Sequence, residues 1–210
     1  MDRERRVEVR APLKASDRDI ADFVRSRDDW LRRTLARMAE EPQPIYLRNV
    51  QGARHPYRGR VIVLHLETGS RRIVLDDDRL RVRLPDLAPE KISRALDRWY
   101  RERAREHFET AIDRHFPFFA ERGHRRPVLR VKRMKSRWGS LSQRGYINLS
   151  LSLVQLPPVC LDYVVAHELC HLEQMNHGPR FHALMDRVMP DWRARSRLLN
   201  RLPPVVPGTP

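Results

Sequence analysis

An α+β fold is predicted by three features of the sequence. Residues 16–39 and 89–114 space their apolar side chains at the period of a helix with one buried face. Between them, residues 45–84 break into short β-prone runs divided by glycines. Further on, the mostly apolar segment Cys160–Met175 ends at Asn176-His177-Gly178-Pro179. There Asn and Gly tolerate the left-handed conformation that closes a helix, and Pro179 cannot extend it.

In chain order, Ser16 followed by Asp19 reads as a capped helix start. Ile20, Phe23, Val24, Leu31, Leu35 and Met38 then carry one helix to about Ala39, where Pro42 and Pro44 stop it. Ile45–Leu47, Arg60–Leu66, Arg72–Leu75 and Leu80–Leu84 are expected to form a small antiparallel sheet. Gly52, Gly59, Gly69 and the Asp76-Asp77-Asp78 triplet separate these runs. The triplet lacks the spacing and the following Glu of a calcium loop, so it reads as a turn.

Pro89 opens a long helix to about Arg114, with Ile92, Leu96, Trp99, Tyr100, Ala104, Phe108 and Ile112 on its inner face. Two strands, Val128–Met134 and Tyr146–Leu153, are expected as a hairpin joined by Ser136–Gly145. Pro157-Pro158 leads into the Cys160–Met175 helix, and two more helices follow over about Pro179–Val188 and Asp191–Asn200. The division expected is residues 1–88 (an N-terminal helix and a small β-rich module), 89–202 (the core) and a disordered tail, 203–210.

Composition bounds the protein further. In 210 residues there is no apolar run of transmembrane length, and the charged start Met1–Arg6 has no apolar stretch behind it. Two cysteines, Cys160 and Cys170, make no disulfide framework, which favours a cytoplasmic setting. The formal net charge of +15 suits weak association with nucleic acid. However, only four of the 42 basic residues are lysine and acids are interspersed throughout, so a generic solvated surface accounts for most of the charge. The stretch Arg125–Arg137 is the exception, an anion-facing wall in prospect.

The chemistry is concentrated in His167-Glu-Leu-Cys-His171 and the third histidine, His177. Positions i and i+4 share a helix face, so His167 and His171 can hold one ion while the terminating turn returns His177 to it. Three neutral imidazoles with one open position describe a catalytic site for one Zn²⁺ ion, not a closed structural one. Glu168, offset from the pair, is the candidate general base, and a metal-activated water would be its partner in a buried setting. Cys170 reads as small apolar filler. His182 is either adjacent to the site or on the surface. Arg137, Trp138, Gly139 and Ser140, with Asn148 on the following strand, are candidate substrate contacts. Gly139 would permit close backbone approach, and a zincin-type site pairs an extended peptide with such a strand.

The linked segments Arg133–Ser140, Ile147-Asn148-Leu149, Pro157-Pro158, Asp162–Leu172, Asn176-His177, Arg180-Phe181 and Met189–Asp191 resemble the YgjP-like metallopeptidase family, which is related to the SprT-like and WLM zinc proteases. Weaker similarity extends to Arg58-Gly59-Arg60. The resemblance implies a zincin-like core, zinc at His167, His171 and His177, a catalytic Glu168 and bacterial cytoplasmic origin. Leu141 stands where the family usually has Cys, and His182 where it has Trp. Gln174 occupies the glycine position of the metzincin pattern, so the chain is not placed in that group.

The expected function is therefore a zinc-dependent metallopeptidase acting on a peptide or protein substrate. One alternative is a metal-dependent nucleoside triphosphate (UTP) pyrophosphatase, as described for members resembling this family, with Arg130–Arg137 facing the phosphates. Another is a nucleic-acid-associated protease of the SprT-like kind, although no nucleic-acid-binding module is recognisable.

Overall fold

A computed structural model describes Val9 and residues 11–12, 15–40, 45–134, 137–203 and 205–206. The expectations made for Met1–Arg6, Pro42, Pro44, Lys135, Ser136, and tail residues 204 and 207–210 lie outside these. The chain divides into two compact units, Met1–Gln43 and Pro44–Pro210.

In the first unit, α1 (Asp17–Ser26) starts on a full capping box: the Asp19 amide donates to Ser16 Oγ at 3.2 Å, and the Ser16 amide donates to Asp19 Oδ2 at 3.3 Å. The single helix expected here is instead two, because the chain turns at Arg27 before α2 (Asp28–Glu40). Ser26 turns its hydroxyl back onto the Phe23 carbonyl at 2.7 Å. Such back-bonding competes with the helical ladder. Asp28 and Asp29 then supply the acidic first turn that favours a new helix.

The second unit begins with β1 (Ile45–Tyr46), paired in parallel with β9 (Val205–Val206), which lies in the stretch expected to lack structure. The next four strands are β2 (Arg54–Tyr57), β3 (Arg60–Thr68), β4 (Arg72–Asp76) and β5 (Arg79–Leu84). They form a sheet in the order β2-β3-β5-β4. The sheet is mixed and not wholly antiparallel as expected, since β3 and β5 run parallel, Val63 opposite Arg79 through Thr68 opposite Leu84. Burial explains the order. β5 alternates strictly, with Leu80, Val82 and Leu84 buried and its arginines exposed, whereas β4 is only half-buried. The strand with more apolar area to hide takes the interior position.

Pro89 at the first helical position opens α3 (Pro89–His115), and all seven of the inner-face residues expected from the sequence are buried. After the short α4 (Pro117–Ala120) comes a second sheet of β6 (Val128–Lys132), β7 (Gly139–Ser142) and β8 (Tyr146–Ser150), in the order β6-β8-β7. Here too the expected hairpin is corrected. β6 and β8 are parallel, and the antiparallel partner of β8 is β7, formed inside the segment read as a connection. A turn closed by the Gly145 amide on the Ser142 carbonyl at 3.0 Å makes that pairing local. β8 also stops at Ser150, and a 3-10 turn over Leu151–Gln155 replaces its expected end.

Three helices complete the unit: α5 (Pro158–Cys170), α6 (Pro179–Val188) and α7 (Trp192–Arg201). Buried residues of β2, β3 and β5 and of residues 89–202 belong to one hydrophobic cluster, so the boundary expected at residue 88 falls inside this unit. Among the described residues no helix is long and apolar enough to cross a membrane.

Candidate metal centre

α5 is buried along much of its length, from Cys160 and Leu161 through Val164, Val165 and Ala166 to Glu168, Leu169 and Cys170. It ends at Cys170, sooner than its apolar composition suggests. The Leu172 amide donates to the Leu169 carbonyl at 2.9 Å and the Glu173 amide to the Cys170 carbonyl at 3.1 Å, tightening the last turn before the chain reverses. That early stop serves the site: the Gln174 carbonyl turns back and accepts from His171 Nδ1–H at 2.9 Å. With Nδ1 occupied as donor, His171 presents Nε2 as a lone pair, the arrangement typical of metal-binding histidines.

The reversal brings His177 to the other two rings. Ligand nitrogens of His167, His171 and His177 all lie within 4.8 Å of one another, and among the described residues no acid joins the group. Nε2 of His167 and Nε2 of His177 stand 3.0 Å apart. A tetrahedral zinc with bonds of about 2.0–2.1 Å needs nitrogens separated by about 3.3 Å, so this donor set fits zinc.

Beneath the rings sits Phe181 of α6, its centroid 4.9, 5.0 and 4.8 Å from those of His167, His171 and His177. It is 2% exposed and fixes all three imidazoles at once. Sequence reasoning assigned no role to Phe181 or to the Gln174 carbonyl. The first appeared only as part of a motif, and no local pattern marks the second. His182, by contrast, is exposed and stacks on Trp192 at 5.5 Å. Cys170 is free and buried, its thiol pushed up to about 12 by desolvation, so it is apolar filler.

Burial sets the charge state of the site. Desolvation, and then the neighbouring His171, His177 and His182, hold the His167 imidazole down at about 4. The His171 imidazole is lowered chiefly by desolvation as well. Both rings are therefore neutral near pH 7, the form that binds a metal. Burial pushes the Glu168 carboxyl up to about 7, against the opposing pull of the Leu141 amide and the Arg137 charge. A carboxyl tuned there can both accept and return a proton at neutral pH.

The five candidate substrate contacts divide between the two faces of the second sheet. Gly139 lies on the Glu168 side, where an added Cβ would be 2.7 Å from Glu168 Oε1. Its missing side chain makes room for the carboxylate, a role different from the approach by substrate expected of it. Arg137 is exposed just ahead of it, and Trp138 is half-buried against the core, its carbonyl accepting from the Ser150 amide at 2.8 Å. Ser140 and Asn148 are opposite each other in the β7–β8 register. Side chains alternate along a strand, so this pair points away from the Gly139 and Glu168 side. Asn148 Nδ2 donates to Ser140 Oγ at 3.2 Å.

Within the basic stretch Arg125–Arg137, three cations are committed to neighbours in the protein. Arg126 is held by Glu109 and Asp113, both at 2.6 Å, Arg130 lies over the Tyr146 ring at 3.3 Å, and Arg133 pairs with Asp97. Arg125, Lys132 and Arg137 are exposed, with no carboxylate partner among the described residues.

Comparison with known families matches residues 1–202 to the YgjP-like, metallopeptidase domain. Among curated proteins no match is found.

Proposed function

Since the chain belongs to the YgjP-like metallopeptidase family, we propose that it is a zinc-dependent peptidase that cleaves peptide bonds with Glu168 as general base. The observation that carries this reading is the convergence of three imidazole nitrogens within 4.8 Å beside a buried carboxyl raised to about 7. His167, His171 and His177 would hold the zinc, in the manner of a zincin-like core. When bound, zinc supplies a Lewis acid and makes a water acidic enough to ionise near pH 7.

The rest is done by the chain's own residues. Glu168 takes the proton of the attacking water on its carboxylate and passes it to the departing amine. Phe181 and the Gln174 carbonyl keep the imidazoles from swinging away. Among the described residues β7 pairs with β8 on one side only, and its other edge suits an extended peptide laid antiparallel or parallel to it. Arg137 and Trp138 are the contacts retained for such a substrate, while Gly139 makes room for Glu168. Ser140 and Asn148 would act only indirectly, by bracing β7. The two free, buried cysteines support a cytoplasmic setting for this activity.

The test offers the zinc-loaded chain unfolded protein, UTP and DNA-bound protein in parallel, each beside a Glu168→Gln control. Glu168-dependent cleavage of unfolded protein is the expected result. Glu168-dependent release of pyrophosphate from UTP without peptide cleavage would replace this reading with the nucleotide one. Cleavage confined to DNA-bound protein would replace it with a nucleic-acid-associated protease.

A further inference from the structure

Away from the metal centre, a groove of about 760 Å³ opens between α3 and the outer strand β4. One wall is the face of α3 made by Ala95, Arg98, Trp99, Glu102 and Arg103, residues that recur at helical spacing. The other wall is the consecutive stretch Arg71–Leu75, the start of an edge strand whose far side has no strand partner among the described residues.

Two properties mark this groove. The first is uncompensated charge. Four arginines (71, 72, 98 and 103) line it against a single acid, Glu102. Among the described residues Arg71, Arg72 and Arg98 have no carboxylate partner, while Arg81, Arg83, Arg101, Arg114, Arg126 and Arg133 each have one. Arg103 reaches Glu106 at 2.9 Å through Nη1, yet its buried Nε has no partner. A buried donor left unpaired is costly, and an anionic acceptor would relieve it.

The second property is an open backbone. The two-residue turn at Asp77-Asp78 makes Asp76 and Arg79 the closing pair of the β4–β5 hairpin. Ladder bonds to β5 then fall on Asp76, Val74 and Arg72, leaving the amides and carbonyls of Ile73 and Leu75 aimed at the free edge. Ile73 and Leu75 are also half-buried, so the edge carries apolar seats between the cations.

We propose that this groove binds an extended acidic polypeptide segment, which adds a strand to β4 and sets carboxylates against Arg98 on its α3 side, against Arg72 on its other face and against Arg71 at its end. A bare phosphate or a nucleic-acid strand would use the cations alone, whereas a peptide uses the cations, the apolar seats and the unpaired edge together. The five residues of β4 fix the scale of the segment. The groove shares no residue with the metal centre, so the inference stands whether or not that centre cleaves peptides.

The experiment uses the full chain, zinc-loaded and carrying Glu168→Gln so that cleavage cannot deplete the probe. Dye-labelled peptides repeating Glu-Glu-Val, or Lys-Lys-Val, which carry charge on both faces of a strand, and a short single-stranded oligonucleotide are titrated by fluorescence anisotropy. Amide exchange along β4 is followed in the same samples. The expected result is binding of the acidic peptide alone, with slowed exchange at Ile73 and Leu75. The exposed pair Arg72→Glu and Arg98→Glu, checked for an unchanged thermal midpoint, should weaken that binding at least tenfold. Acidic-peptide affinity unmoved by the reversal, or binding without protection of Ile73 and Leu75, would overturn the proposal. An oligonucleotide that displaces the peptide and itself responds to the reversal would assign the groove to nucleic acid instead.

Discussion

Gly139 and Glu168 are packed so closely that a single added carbon on Gly139 would collide with the carboxylate, lying 2.7 Å from Oε1, 2.8 Å from Cγ and 3.0 Å from Cδ. Glu168 is 6% exposed and has little room to retreat. Gly139→Ala should therefore displace the carboxyl while leaving the three histidines in place. Displacements of about 1 Å at a reacting group cost on the order of 10²-fold in rate. Zinc content should stay at the wild-type value by elemental analysis while turnover falls by that factor. Equal loss of zinc and activity would show that Gly139 acts on the metal ligands and not on Glu168.

Phe181→Leu should loosen the metal site without removing a ligand. The substitution keeps an apolar side chain under His167, His171 and His177 but gives up the flat surface that meets all three rings. Supporting residues of this kind typically change metal affinity by about 10–100-fold. Competition with a zinc chelator should place Phe181→Leu about tenfold weaker than wild type, and His177→Ala weaker still. An affinity equal to wild type would remove Phe181 from the account of the site.

In the metal-free protein, two adjacent residues pull stability in opposite directions with pH. His167 is held at about 4 against an ordinary 6.5, so its contribution is present above 6.5 and lost as pH falls through 4. Glu168 is raised to about 7 from 4.5, so its contribution is present below 4.5 and lost as pH rises through 7. Each amounts to roughly 3 kcal/mol over its window, at about 1.4 kcal/mol per pH unit. Glu168→Gln removes the opposing member. Denaturant unfolding of the chelated variant should show stability climbing more steeply than wild type from pH 4.5 to 7. It should also show a gain over wild type at pH 8. Parallel profiles for the two proteins would contradict the burial cost assigned to Glu168.

The turn joining β2 to β3 is bonded to the segment that leads into α5. The Arg58 amide donates to the Val154 carbonyl at 2.9 Å and the Gly59 amide to the Gln155 carbonyl at 3.1 Å. Gly59 has φ +75°, and a Cβ there would lie 2.9 Å from the Pro157 Cα. Gly59→Ala combines a left-handed backbone cost of about 1–2 kcal/mol with overpacking of about 1–3 kcal/mol. A loss of about 2–5 kcal/mol in urea unfolding is expected, and a loss below about 0.5 kcal/mol would mean that the turn moves freely away from Pro157.

Local pattern carried the reading of the sequence as far as local forces decide structure. Ile92 through Ile112 bury one face of α3, the Ser16 and Asp19 cap forms, and α6 spans the residues its spacing predicts, because each follows from neighbours within a few positions. The histidine triad was legible for the same reason, since four residues and a terminating turn bring it together. Strand order was not. β5 settles between β3 and β4 through pairing of distant residues, and the Gly-Ser-Leu-Ser of β7 has little β propensity to announce a strand. The fit of Gly139 against Glu168 joins a strand to a helix and has no sequence signature beyond the glycine itself. The groove along β4 was hidden among many arginines, and only the packing of α3 beside a free strand edge sets it apart.

The most direct test of the proposed chemistry is kcat/KM for one fluorogenic unfolded-protein substrate, measured for wild type and Glu168→Gln at matched zinc content. Loss of a general base costs about 10²–10⁴-fold, and the account predicts a fall within that range with one zinc retained per chain. Cleavage by the Glu168→Gln chain at the wild-type rate, with the same zinc bound, would contradict it.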